Sequence, residues 1–430
     1  FTSTKEPFDP LHHSGSVSPY FDAPSMISPE VPDGCYVDQA AYIARHGSRY
    51  PEPDSYTGWE ELYWKIQNTT FAATGPLKFL ANWSPILDNT PHQPLYLTAT
   101  GAGEAFDLGV QLRRGYGFTK GGDNFTVWSA GEQRVIDTSA YFTRGYLSDG
   151  NYLDDLSENR GQIVALPDSV NYTFANSLTP GSSCPPFTNT DTGSSSADTF
   201  RATYQSTVAA RLNQYLDGLT LDASDIGVMG DLCGYEAAID GDTRFCGVFE
   251  DDEWLDYEYA QDLNYYYGTG SGNAYSATVG YPWVKAIADL FEAGPNGSNT
   301  TVNGKTTTTP NLIMSFTHDN NLPPIISALG MWNATGLMST SNRTEHEFRS
   351  SWLVAMRGYL ALERMTCVTS GNYDNATTAV YVRVRTDHAP QALPGCSSGP
   401  GFSCPFEDWK NYIAERGEIA GDFVETCGLT

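Results

Sequence analysis

The segment Arg45-His46-Gly47-Ser48-Arg49-Tyr50-Pro51 sets one imidazole between two guanidiniums, with a glycine beside it. Guanidinium forks match phosphate oxygens two at a time, and a neutral imidazole can act as nucleophile or base. Gly47 would let the backbone turn closely around a ligand. The plainer alternative is a basic surface loop with a satisfied histidine, yet five fixed positions recur by chance in roughly one of several thousand such sequences. A second segment, Phe316-Thr317-His318-Asp319-Asn320, places Asp319 where a helix is expected to begin, with Pro323 and Pro324 in or near its first turn. A carboxylic acid there can protonate a leaving group, although His-Asp read alone is more often a plain N-cap. Arg134, in Gly131-Glu132-Gln133-Arg134-Val135-Ile136, reads by itself as a solvated helix residue, and only context raises it.

Other motifs carry less. His12, His13, His92, His346 and His388 lack metal-ligand spacing, so neither a metal nor any other cofactor is expected. Gly304-Lys305-Thr306 looks like the end of a phosphate loop, but Asn299 stands where the required glycine should be.

Each chemical segment needs an element to present it. Cys35 to Ala44 reads as a buried strand running into the first segment, and Trp59, Leu62, Tyr63 and Ile66 mark the following helix. Phe125 to Ser129 reads as a short strand feeding a helix near Arg134, and Leu312 to Phe316 as a strand leading to His318. Ile325 to Leu329 reads as a buried helix, and Val380, Val382 and Val384 alternate in a late strand. The middle carries helices and loops but few strand signals. One helix there opens at Pro282 and ends at Gly294. Residues 296–309 read as a solvated loop, and the first 34 as an extended arm. Strands on both sides of a helical middle give an α/β protein: residues 1–149 and 302–430 form a large α/β domain, and 150–301 a smaller, mostly α-helical one. In open α/β sheets, ligands sit beyond the carboxyl ends of strands.

The 430-residue length suits two or three packed units. A net charge of −27 excludes an extended basic surface, so nucleic acid is not an expected partner. The 40% hydrophobic and 13% aromatic shares exclude global disorder. No apolar run reaches membrane-spanning length. Beginning at Phe1 suggests a processed chain whose signal segment was removed. Eight cysteines are compatible with four disulfides, and Cys233 with Cys246 and Cys396 with Cys404 lie close enough to close local loops. Nine Asn-x-Ser/Thr sites, at Asn68, Asn82, Asn124, Asn171, Asn296, Asn299, Asn333, Asn342 and Asn375, are glycosylation candidates. A secreted, extracellular glycoprotein is expected; no oligomeric state follows.

R-H-G-x-R-x-P with a distant His-Asp resembles the histidine acid phosphatase family, especially its fungal phytase-like branch. The likeness extends to Ile27-Ser28-Pro29-Glu30-Val31-Pro32, Gly34-Cys35 and Tyr267-Gly268-Thr269-Gly270-Ser271-Gly272-Asn273. The resemblance implies a histidine phosphatase-like fold, with a central mixed sheet flanked by helices and a smaller helical domain closing the cleft. It implies His46 as the nucleophile forming a phosphohistidine, Arg45, Arg49 and Arg134 as phosphate clamps, His318 as a hydrogen-bond donor and Asp319 as the acid. It also implies the pairs Cys35–Cys367, Cys184–Cys427, Cys233–Cys246 and Cys396–Cys404.

One departure bears on substrate. Fungal phytases carry lysines just after the R-H-G motif and just before the Gly-rich Tyr-Gly segment. This chain has Glu52, Asp54 and the stretch Leu263-Asn264-Tyr265-Tyr266 instead. The expectation is a broad acid phosphatase with an acidic optimum, acting on small phosphomonoesters with weak phytate preference. Phytase activity, phosphoryl transfer, non-phosphate chemistry and non-catalytic anion binding are the alternatives.

Overall fold

Seven consecutive buried residues, Gln39 to Arg45, make β1 (Cys35–Arg45) the spine of the sheet. The computed structural model describes residues 7–118, 125–148, 161–167, 178–295, 299–302, 305–308, 311–332, 338–370 and 377–429. After β1 come α1 (Pro53–Gln67), β2 (Ala72–Ala73), α2 (Ala99–Tyr116), β3 (Phe125–Ala130), α3 (Gln133–Tyr146) and β4 (Gly161–Leu166). The middle holds α4 (Pro185–Asn189), α5 (Gly193–Leu212), β5 (Leu216–Asp217), α6 (Ala223–Ile239), α7 (Asp251–Gly268) and α8 (Ser276–Ala293). Then follow β6 (Asn299–Val302), β7 (Lys305–Thr308), β8 (Leu312–Thr317), α9 (Leu322–Ala328), β9 (Tyr359–Ser370) and β10 (Thr377–Thr386). The chain closes with β11 (Ala389–Gln391), β12 (Cys404–Pro405), α10 (Phe406–Ala420) and α11 (Phe423–Thr426).

The main sheet runs β11-β10-β9-β1-β8-β3-β4, with β12 on β10. β1, β8, β3 and β4 pair in parallel, while β9, β10 and β11 are antiparallel, so the sheet is mixed. Parallel strands must be buried on both faces, which is why β8 is buried at every position. The fold is a mixed α/β sheet flanked by helices. No described helix is long and apolar enough to cross a membrane.

Local sequence explains several ends. Thr98 caps α2 through its hydroxyl, and Gly117 stops that helix at φ +63. Asp222 with Asp225, and Glu250 with Glu253, form capping boxes for α6 and α7.

Several expectations are corrected. α8 begins at Ser276, and Pro282 lies inside it. Burial of Val279, Val284, Ile287 and Phe291 along one face outweighs the single backbone bond that Pro282 cannot donate. The tract expected as a loop contains the β6–β7 pair, whose threonines suit a strand. The amino-terminal arm is not simply extended: two 3-10 turns, Pro10–His13 and Gly15–Val17, bury Val17, Ser14 and Ser18. Its backbone is tied down by Gly15 N–H to Ser351 Oγ (2.9 Å) and Met356 N–H to Ser18 O (2.9 Å). β4 belongs to the main sheet although it falls within 150–301, and α8 packs against α9 and α10.

The disulfides are Cys35–Cys367, Cys184–Cys427, Cys233–Cys246 and Cys396–Cys404. The first joins β1 to β9 at residues already in register. Asn68, Asn82 and Asn342 are exposed. Asn299 lies in β6, and Asn124, Asn171, Asn296, Asn333 and Asn375 lie outside the described residues.

Glu236 of α6 makes stability depend on pH. It is buried, accepts from Trp83 Nε1 at 2.7 Å, and is pushed up to about 8, chiefly by desolvation. A folded carboxyl that holds its proton more tightly than the unfolded one favours the fold at low pH. That contribution is lost as pH rises from about 4.5 through 8. Glu236→Gln keeps the acceptor for Trp83, and should raise the melting temperature at pH 8 by several degrees while leaving pH 4 little changed. Calorimetry at both pH values checks this.

Candidate active site

Three parallel strands end side by side. Arg45 is the register partner of Thr317, and Ser129 that of Phe316, so the carboxyl ends of β1, β8 and β3 share one edge. The residues that follow them are His46, His318 and, one turn later, Arg134. His46 donates its backbone N–H to Thr317 O at 3.1 Å, and Arg357 N–H holds the His46 carbonyl at 2.9 Å.

The R-H-G turn is pinned to the start of α2. A Cβ on Gly47 would lie 2.5 Å from Gly101 O, and one on Gly101 would lie 2.1 Å from Ser48 O. The glycine expected to admit a ligand therefore admits a helix backbone. Thr98 N–H and Oγ1 both bond Ser48 O at 2.9 Å, and Ser48 N–H and hydroxyl bond Glu104 at 2.9 and 2.8 Å. Gly47 N–H reaches Thr138 Oγ1 of α3 at 3.1 Å.

The geometry assigns protons to both rings. His46 Nδ1 lies 2.9 Å from Gly47 O, which can only accept, so Nδ1 carries the hydrogen and Nε2 the lone pair. His318 Nδ1 lies 3.1 Å from Arg134 Nη2, a donor, so Nδ1 accepts and Nε2 carries the hydrogen. The rings meet edge to face, 5.8 Å between centroids. His46 is buried, and desolvation followed by Arg45, Arg49 and Arg134 pushes it well below the ordinary histidine value. It stays neutral at acid pH, where a free histidine would be charged.

Every guanidinium is oriented before any ligand arrives. Arg45 Nη1 donates to Ser16 O and, at 2.6 Å, to Val354 O, while Nη2 meets Asp319 Oδ2 at 2.9 Å. Arg49 donates to Tyr50 O and Glu52 Oε1, both at 3.0 Å, and lies over the Tyr235 ring. Arg134 pairs with Glu132, whose other oxygen is 3.7 Å from His318 Nε2. Asp319 Oδ2 also accepts from the Tyr265 hydroxyl at 2.8 Å. Burial alone would raise Asp319, but the Arg45 and Arg49 guanidiniums and the Tyr265 hydroxyl hold it well below the usual carboxylate range.

All six expected residues are brought together: the charges of Arg45, Arg49, Arg134 and Asp319 all act on His46, whose ring meets His318. Sequence reasoning missed Ser48, Glu104 and Thr138, which fix the turn, and Ser16 and Val354, which aim Arg45. It also missed Tyr265 as a donor to Asp319 and Glu132 as the partner of Arg134. Glu132 alone left a signal, being two residues from the arginine. Ser48 lies within the motif, and the remaining five contact the site from 29 to 309 positions away.

The family model described as histidine phosphatase superfamily (branch 2) matches residues 36–387. The chain is 30% identical to acid phosphatase PHO1 of Komagataella pastoris over 436 residues, covering 99% of this chain and 88% of that one. It is 29% identical to phytase PHO112 of Candida albicans over 430 residues, covering 97% and 87%. The crystal structure of the phytase from D. castellii aligns with a TM-score of 0.85 at 25% identity, covering 100% of this chain and 91% of that one.

The glycine contact is testable by a pair of variants on one helix. Gly101→Ala should cost about 1–3 kcal/mol and lower kcat at least tenfold, because its Cβ must displace the R-H-G backbone. Gly103→Ala, which meets nothing within 4 Å, should leave activity unchanged and stabilise slightly. Denaturant unfolding and phosphate-release assays read both.

Proposed function

The chain belongs to branch 2 of the histidine phosphatase superfamily, and we propose that His46 is its phosphoryl-accepting nucleophile. It is an enzyme of the histidine acid phosphatase type, a phosphoric monoester hydrolase, with acid phosphatases and phytases among its relatives. The observation that carries the role of His46 is a buried neutral imidazole, its Nε2 lone pair unprotonated, amid three guanidiniums.

Arg45, Arg49, Arg134 and His318 Nε2–H bind the phosphoryl oxygens. The charge they neutralise is what phosphoryl transfer most needs from a protein. The Nε2–P bond forms as the ester P–O bond breaks, and Asp319 gives its proton to the departing oxygen. Water then attacks phosphorus, Asp319 takes its proton, the N–P bond breaks, and neutral His46 returns with free phosphate.

Asp319 is ionised in the free protein, so its proton enters with the substrate. A phosphomonoester keeps its second proton below a pKa of about 6. Once the phosphoryl group occupies the guanidiniums, their hold on Asp319 weakens and the proton can pass to it.

The smaller helical domain is read as residues 150–301, against 1–149 and 302–430. What supports a cleft between them is Tyr235 of α6 and Tyr265 of α7 reaching Arg49 and Asp319. Secretion and glycosylation are part of the proposal. They rest on eight disulfide-bonded cysteines and the exposed Asn68, Asn82 and Asn342. The expected substrates are small monoesters, because Glu52 and Glu132 stand against Arg49 and Arg134 where further phosphates of a polyanion would lie. Relatives that are phytases favour a second reading, in which phytate is the substrate.

Two measurements test this. Asp319→Asn should lose about 10²–10³-fold in kcat on alkyl phosphates but far less on p-nitrophenyl phosphate, and the parent kcat/KM should fall above about pH 6. Equal losses on both substrates would remove Asp319 from the acid role. The double variant Glu52→Gln/Glu132→Gln should lower KM for phytate about tenfold while changing aryl phosphate little. A parent kcat/KM for phytate well above that for aryl phosphate at one pH would replace the monoester reading with the phytate one.

A further inference from the structure

A cavity of about 610 Å³ opens between the sheet and α2, under the amino-terminal arm. None of the six active-site residues lines it. Its walls include Tyr20, Phe21, Leu112 and Tyr116, and three arginines, Arg357, Arg383 and Arg385, also face it. The volume suits a small organic molecule, and the wall is mixed: Tyr20, Phe21, Tyr42, Tyr116 and Tyr359 stand beside a cluster of charged side chains, apolar body and polar anchor being what such sites combine.

The charges inside are unevenly matched. Glu363, fully buried, accepts from Arg383 Nε at 2.7 Å, Arg385 Nη1 at 3.0 Å and the Tyr116 hydroxyl. One carboxylate therefore serves two guanidiniums. Arg357 is 5% exposed, and its Nε has no acceptor among the described residues. Its guanidinium lies 3.4 Å from the centre of the Tyr20 ring, a contact that orients it without taking up its N–H groups. Asp387 and Glu104 are near enough to feel Arg357, but neither carboxylate is within ion-pair distance of it.

Arg357 also sits at φ +64, a backbone region costly for a long side chain, with Gly358 next to it. Asp22 and Glu30, exposed at the cavity rim, oppose a second negative charge.

We propose that this cavity is a second binding site, taking a small organic anion with one negative charge and an aromatic or apolar body. The oxyanion would meet the Arg357 fork, and the body would lie among Tyr20, Phe21, Leu112 and Tyr116.

Calorimetric titration of the full chain with benzoate, in saturating inorganic phosphate to occupy the active site, tests the assignment. Binding is expected at a Kd of about 1 mM or tighter, with acetate at least tenfold weaker. Arg357→Met should weaken benzoate about tenfold or more. So should Gly115→Phe, because Gly115 lines the cavity and a side chain there meets open space. Gly115→Phe should leave aryl phosphate hydrolysis unchanged. The proposal is overturned if benzoate does not bind, if phosphate competes it away, if acetate binds equally well, or if either folded variant keeps the parent affinity. Should Arg357→Met fail to fold, Gly115→Phe decides alone.

Discussion

A histidine can attack phosphorus at acid pH only if something keeps its ring unprotonated. Here that something is buried positive charge: desolvation and three guanidiniums depress His46, while a carbonyl fixes its proton on Nδ1. Much of the architecture follows from what holding those guanidiniums requires. Each has fixed partners, from Ser16 and Val354 for Arg45 to Tyr50 for Arg49 and Glu132 for Arg134. The amino-terminal arm folds back because its Ser16 carbonyl is one of them. The same positive field acts oppositely on Asp319, favouring its ionised form.

The net charge of −27 is compatible with this site because the field is local. Buried guanidiniums act in a low-dielectric pocket, where nearby groups count for more than the screened sum over the surface. Two exposed carboxylates, Glu52 and Glu132, trim that field at the mouth. In the proposed reading they narrow which phosphates are attracted without removing the attraction. A comparable economy is seen across the sheet, where Glu363 alone serves Arg383 and Arg385.

Continuous apolar runs made β1 and β8 legible, because a parallel strand buried on both faces needs no alternation. The motif residues were legible for a similar reason: their types are rare in such tight spacing. Short-range rules failed where packing outweighed them. Pro282 reads as a helix start, yet the buried face of α8 carries the helix six residues further back. Gly47 reads as room for a ligand, yet Gly101 fills that room. The arm of residues 7–34 looks extended because its partners, Ser351 and Met356, lie more than 300 positions away.

Sequence by itself determined the reactive groups: an imidazole between arginines, a distant His-Asp, and acids shortly after the R-H-G motif. It determined the strands that would carry them, since hydrophobic pattern is a local property. Only the tertiary structure decided which tautomer His46 adopts, that guanidiniums hold Asp319 low, that Tyr265 donates to it, and that Arg357 Nε has no acceptor among the described residues. Protonation and pairing depend on distance and burial, and those are set by chain crossings that bring residue 46 beside 317 and residue 319 beside 265.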